Sequence, residues 1–180
     1  PPWPRATAGF LGRTNTGDEA MDVIITDGGR ALAGFRGETG DCFVRALSIA
    51  VEMDYREAYN LTRLTAKKHG ERSPRHGVKR KISDEILRAH GWHWVATMGV
   101  GTGCKVHLCK DDLPPGRLIC RVSRHWVAVL DGVAHDNHDP TRGESRCVYG
   151  FWWNPKAVEY MDTIEECEAE MAHQASLLDF

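Results

Sequence analysis

No stretch of the 180 residues approaches the roughly 18 to 20 consecutive apolar residues of a membrane-spanning helix, so no membrane partner is expected. Charge of one sign is also missing. The 23 Lys and Arg face 25 Asp and Glu for a formal net charge of −2, so bulk electrostatics advertise neither a nucleic-acid nor a lipid-surface protein. The six cysteines (Cys42, Cys104, Cys109, Cys120, Cys147 and Cys167) form no Cys-x-x-Cys pair, and the N-terminus lacks the charged-then-apolar pattern of a secretory signal. Reduced thiols and a cytoplasmic location are the corresponding expectations. No internal repeat or low-complexity tract is present. What remains is the composition of an ordinary globular chain, 42% hydrophobic and 27% charged, of a length that suits one domain.

Residues 1–35 are rich in Gly, Pro, Thr and Asp, open without methionine, and hold one short β-like run, Val23 to Thr26. They are expected to be a partly irregular N-terminal extension, of which the residues before Met21 lie outside the fold. From Asp41 the pattern changes, with Phe43, Val44, Leu47, Ala50 and Val51 at helical spacing, so a helix is expected to start at or beside Cys42. Asp54 with Glu57 has the form of a capping box, and the helix behind it should run toward His69 with Ala58, Leu61 and Leu64 facing inward. The stretch from Lys67 to Lys81 reads as an exposed basic loop, followed by a third helix from about Ser83 to His90.

From Trp92 the period shortens toward two. Strands are expected over Trp92 to Met98, Val106 to Cys109, Arg117 to Ser123, His125 to Leu130, Val133 to Asn137 and Cys147 to Trp153. The tail from Pro155 to Phe180 returns to helical spacing and is acidic. The fold class is therefore α+β, with helices first, then an antiparallel sheet, then a C-terminal amphipathic helix.

A cysteine at a helix N-terminus meets free backbone N–H groups and the positive end of the helix dipole, which favour its thiolate; Cys42 is so placed. Nucleophilic attack also needs a base and a group to orient that base. Asp131-Gly132 is the strongest short hairpin signal in the chain. With those two residues in the turn, Leu130 pairs with Val133, Val127 with Asp136 and His125 with His138. Alternation then sets His125, Val127, Val129, Ala134, Asp136 and His138 on one face, with His125 and Asp136 as diagonal neighbours. Cys42 becomes the candidate nucleophile, His125 its base and Asp136 the orienting residue.

The run Gly40-Asp41-Cys42-Phe43-Val44-Arg45-Ala46-Leu47 resembles the cysteine box of ovarian-tumour-type (OTU) peptidases, and His125-Trp126 resembles their His-aromatic strand. The order nucleophile on an early helix, His on a strand, Asp on the next strand is similar to that of the papain-like cysteine peptidase superfamily. Residues 36–153 are also similar to a group of phage and bacterial proteins, a resemblance that brings no activity with it. Together they imply a papain-like hydrolase domain over 36–154, acting on a peptide or protein substrate, without a cofactor. Where such enzymes carry a Gln before the nucleophile, residues 30–41 hold no Gln or Asn. The oxyanion donors therefore stay open between the Cys42 amide and Thr39 or Asp41, with Trp126 expected in the cleft wall.

Two further sets of residues were weighed against solvated or structural roles. His125, Asp136 and His138 share a face and are the one set in the run His135 to Asp139 that alternation lets meet a single ion, but no metal site is expected. Lys79, Arg80 and Lys81, in the basic stretch, could contact nucleic acid or an acidic partner, giving an alternative in which the scaffold binds rather than catalyses.

Overall fold

The protein is described by a computed structural model covering residues 20–155 except 38 and 72, so the expected C-terminal helix over 155–180 lies outside the described residues. In chain order the elements are β1 (Val23–Ile25), α1 (Cys42–Val51), α2 (Tyr55–Lys68), a 3-10 turn (Pro74–His76), α3 (Arg80–Ala89), β2 (His93–Ala96), β3 (Arg117–Val122), β4 (His125–Leu130), β5 (Val133–Asp136) and β6 (Val148–Trp153). The class is α+β.

Local chemistry explains the helices. Asp54 caps α2 by accepting from the backbone N–H groups of Arg56 and Glu57, as the capping box predicts. The buried face of α2 is Tyr55, Ala58, Thr62 and Ala66, however, and Leu64 is 59% exposed. Thr62 is admitted to this face because its hydroxyl donates to the Ala58 carbonyl at 2.7 Å. α3 starts at Arg80 rather than near Ser83, since Ser83 is buried and turns its hydroxyl back onto the Arg80 carbonyl at 2.8 Å. The basic stretch is consequently not one loop. It contains the end of α2, the 3-10 turn and the start of α3.

The sheet has six strands in the order β1-β5-β4-β3-β6-β2. Its pairs are antiparallel apart from β1 and β5, which run parallel with Val23 opposite Ala134 and Ile25 opposite Asp136. The sheet is thus mixed rather than purely antiparallel, and the short β-like run at Val23 in the N-terminal segment supplies its edge strand. The β4–β5 hairpin has the expected register, Leu130 opposite Val133 and Ala128 opposite His135. Asp131 and Gly132 both take positive φ (49° and 80°), as a two-residue turn matched to strand twist requires.

One face of the sheet (Ile119, Trp126, Ala128, Trp152) packs on α1, α2 and α3 through Phe43, Leu47, Ile82, Ile86 and Leu87. The other (Leu118, Cys120, Val127, Val129, Ala134, Phe151) is covered by Val106, Leu108, Leu113 and Met21. The cover is not the strand expected at Val106 to Cys109. It makes a single antiparallel bridge, His107 to Cys147, flanked by bonds from Leu108 N–H to the Arg146 carbonyl and from Val148 N–H to the Val106 carbonyl, while the His107 N–H turns to the Asp112 carboxylate at 2.8 Å. A disulfide joins Cys104 to Cys147, with Cα atoms 5.8 Å apart, and ties this cover to the start of β6. The expectation of reduced thiols fails for these two cysteines, and a cytoplasmic location loses that ground. At the other edge, β6 and β2 lie so close that a Cβ on Gly150 would enter the Trp94 ring and stand 2.6 Å from the Val95 carbonyl oxygen. No helix among the described residues is long and apolar enough to cross a membrane.

Candidate active site

Cys42 opens α1, and α1 packs against β4, where Phe43 meets Trp126 ring to ring at 5.4 Å. His125 opens β4 and Asp136 closes β5, so the hairpin brings both to the same end of the sheet as the helix N-terminus. Asp136 Oδ2 and His125 Nε2 form a short hydrogen bond, which leaves Nδ1 as the other ring nitrogen; His125 and Cys42 line the same cleft, near enough for the thiol to act on the imidazole. The expected diagonal contact is present because the turn residues fix the register. Burial works against the imidazolium, but the hydrogen bond to Asp136, the hydrogen bond and charge of Cys42 and the charge of Asp136 outweigh it and lift His125 from 6.5 to about 9.

The site is braced from behind by a polar chain. Asp136 Oδ1 accepts from the Asn137 backbone N–H at 2.7 Å. In the orientation that pairs all its polar atoms, the Asn137 amide donates to Asp136 Oδ1 at 2.9 Å and to His138 Nδ1 at 2.8 Å, and accepts from Arg45 at 2.8 Å. Arg45 also lies 3.6 Å from Asp41, whose other oxygen takes Arg30 Nε at 2.9 Å and a short hydrogen bond from the Tyr55 hydroxyl. Burial raises the Asp41 carboxyl, yet the Tyr55 bond, the Arg45 charge and the bonds from Thr39 and Arg30 together hold it below its ordinary value. The same carboxylate and burial push the Tyr55 phenol up.

Asp41 therefore does not belong to the cleft, as the sequence allowed. It is 1% exposed, and its carboxylate anchors the cysteine turn to α2 and to the segment after β1. Although it is the N-cap of α1, it makes no side-chain cap bond, so the first-turn N–H groups beside Cys42 keep no side-chain acceptor. Thr39 adjoins the same buried carboxylate and does not line the cleft either. Gly40 is pinned by its N–H to the Arg75 carbonyl at 2.7 Å, which sets the 3-10 turn beside the cysteine.

The cleft over Cys42 has a volume of about 190 Å³ and is walled by Trp126, as expected, together with Gly77, Val78, Arg121, Arg124 and Tyr149, among others. The sequence reading missed Arg121, Arg124 and Tyr149. Tyr149 is the extra residue of a bulge, since Arg121 pairs with Gly150 and Val122 with Val148, and such a bulge re-aims the side chain it carries.

The three atoms offered by His125, Asp136 and His138 lie within 4.8 Å of one another, close enough to share a cation. Binding one would take His125 away from Asp136 and Cys42. The basic trio is not gathered into one free patch: Lys79 pairs with Glu71 at 2.6 Å, Lys81 reaches the His69 carbonyl at 3.4 Å, and Arg80 turns to the cleft. Compared with protein-family models, curated proteins and solved structures, the chain matches none of them.

Proposed function

We propose that the chain is a cysteine hydrolase of papain-like type that cleaves a peptide, isopeptide or related amide through an acyl-enzyme. The observation that carries this reading is the His125–Asp136 hydrogen bond beside Cys42, with both Cys42 and His125 lining one cleft. In the mechanism, the Cys42 thiol gives its proton to His125 Nδ1 and the sulfur attacks the substrate carbonyl carbon. The oxygen that becomes negative is met by the Cys42 backbone N–H and the positive end of α1. As the C–N bond breaks, the imidazolium returns its proton to the leaving amine, giving a thioester. A water that passes its proton to His125 then attacks the thioester and releases the acid and the thiol. Asp136 keeps the ring oriented throughout and stabilises its charged form.

The papain-like type rests on this chain order and on the resemblance of the cysteine turn. The test is labelling by a peptidyl vinyl sulfone: it should occur at Cys42, disappear in Cys42→Ala with the unfolding transition unmoved, and fall at least tenfold in His125→Gln. Labelling unchanged in Cys42→Ala defeats the reading and returns the scaffold to a binding role.

A further inference from the structure

The cleft has a charge that the proposed triad does not use. Arg80, Arg121 and Arg124 line it beside His125, and no acidic residue does. Among the described residues Arg121 and Arg124 make no ion pair, and Arg80 shares its Nε with Asp84 at 3.4 Å. Two of the three lie over aromatic rings, Arg121 over Trp126 at 5.9 Å and Arg80 over Trp94 at 5.3 Å. Such stacking holds a guanidinium in place while leaving its N–H groups open to a planar acceptor.

Arg124 sits in the two-residue turn between β3 and β4, where Val122 pairs with His125, and its φ of 56° belongs to that turn as the φ of Asp131 does to the next. The turn brings a cation to the mouth of the cleft, next in sequence to His125. The cleft, at about 190 Å³, is smaller than the roughly 300 Å³ at which drug-sized pockets begin, so it takes about one side chain and the bond beside it.

We propose that the cleft selects acidic peptides, with Arg121 and Arg124 pairing with a carboxylate on the residue next to the bond that Cys42 attacks. A carboxylate is matched in shape by the guanidinium fork, and the cation-lined wall would draw it in before contact. This proposal rests on the hydrolase reading above.

The experiment compares alkylation of Cys42 in the full chain by iodoacetate and by iodoacetamide, which differ in charge at similar size. Second-order rate constants are read by mass spectrometry on the Cys42 peptide, with glutathione as the reference thiol. The iodoacetate-to-iodoacetamide ratio at Cys42 is expected at least tenfold above that of glutathione. It should fall about tenfold in the double variant Arg121→Gln, Arg124→Gly and shrink as salt shortens the Debye length. Arg124→Gly removes the charge while suiting the positive φ of the turn, so that variant alone carries the test if the double variant does not fold; the ratio should then fall about threefold. A ratio equal to that of glutathione, or one unmoved by loss of the arginines, overturns the substrate proposal and leaves the hydrolase reading standing. An iodoacetamide rate that matches glutathione and is indifferent to His125→Gln overturns the hydrolase reading, and the substrate proposal with it.

Discussion

Replacing Asp136 by Asn should pull the titration of His125 down from about 9, because burial, which disfavours the imidazolium, is then opposed by Cys42 alone and no longer by the carboxylate, the largest of the raising partners. The difference between about 9 and 6.5 corresponds, at about 1.4 kcal/mol per pKa unit, to about 3 kcal/mol of preference for the charged ring in the folded protein. The sign for stability follows. A group whose folded value is raised contributes fully below its unfolded value, so this term is present below about pH 6.5, declines between about 6.5 and 9 and is gone above. The His138 ring lies 5.1 Å from that of His125, centroid to centroid, so the two imidazole signals must be assigned separately. The assay is an NMR titration of the imidazole Cε1–H signals, with His125 identified by the signal lost in His125→Gln. Urea unfolding of wild type and His125→Gln at about pH 6 and about pH 10 supplies the stability arm, where the wild-type advantage should shrink by about 3 kcal/mol. A His125 signal that titrates near 6.5 in the wild type, or does not move in Asp136→Asn, would refute the reasoning, since the hydrogen bond to Asp136 is the largest contribution to the rise.

Two further outcomes concern the frame around the site. Asp41→Asn should cost about 3–5 kcal/mol in urea unfolding, because it leaves the Arg30 and Arg45 charges without their buried partner. In the wild type the same carboxylate, held below its ordinary 3.8, contributes above that value and loses its contribution as pH falls through the depressed one, so the protein should weaken in acid over that window. Reduction of Cys104–Cys147, which closes a separation of 43 residues, should lower stability by about 2–4 kcal/mol, read as a shift of the urea midpoint with and without reductant.

The part of the site made by local chemistry was legible in the sequence. Asp131-Gly132 dictates its own turn, the turn dictates register, and the register sets His125 against Asp136. The helix at Cys42 and the cap at Asp54 follow from residue types within a few positions of one another. What escaped depends on partners far along the chain. β1 finds β5, and Cys104 finds Cys147, through the closure of the fold, for which spacing offers no signal. Asp41 was expected at the cleft because two of its counter-groups, Arg30 and Tyr55, come from other segments of the chain. The strand expected at Val106 shrinks to a single bridge of His107 with Cys147, a pairing of distant residues that spacing likewise does not signal.

The parallel pairing of β1 with β5 has a consequence in time. The Thr26 N–H donates to the Asp136 carbonyl at 2.8 Å, and a few residues later Arg30 grips the carboxylate beside Cys42. One short segment thus holds both the strand end that carries the orienting acid and the turn that carries the thiol. A chain emerging from a ribosome delivers this segment and Cys42 first and residues 125–136 much later, and such long-range closures form slowly. Until they form, Cys42 has neither His125 nor a finished cleft around it. On the proposed hydrolase reading, the reactivity of Cys42 therefore arises only with the completed sheet.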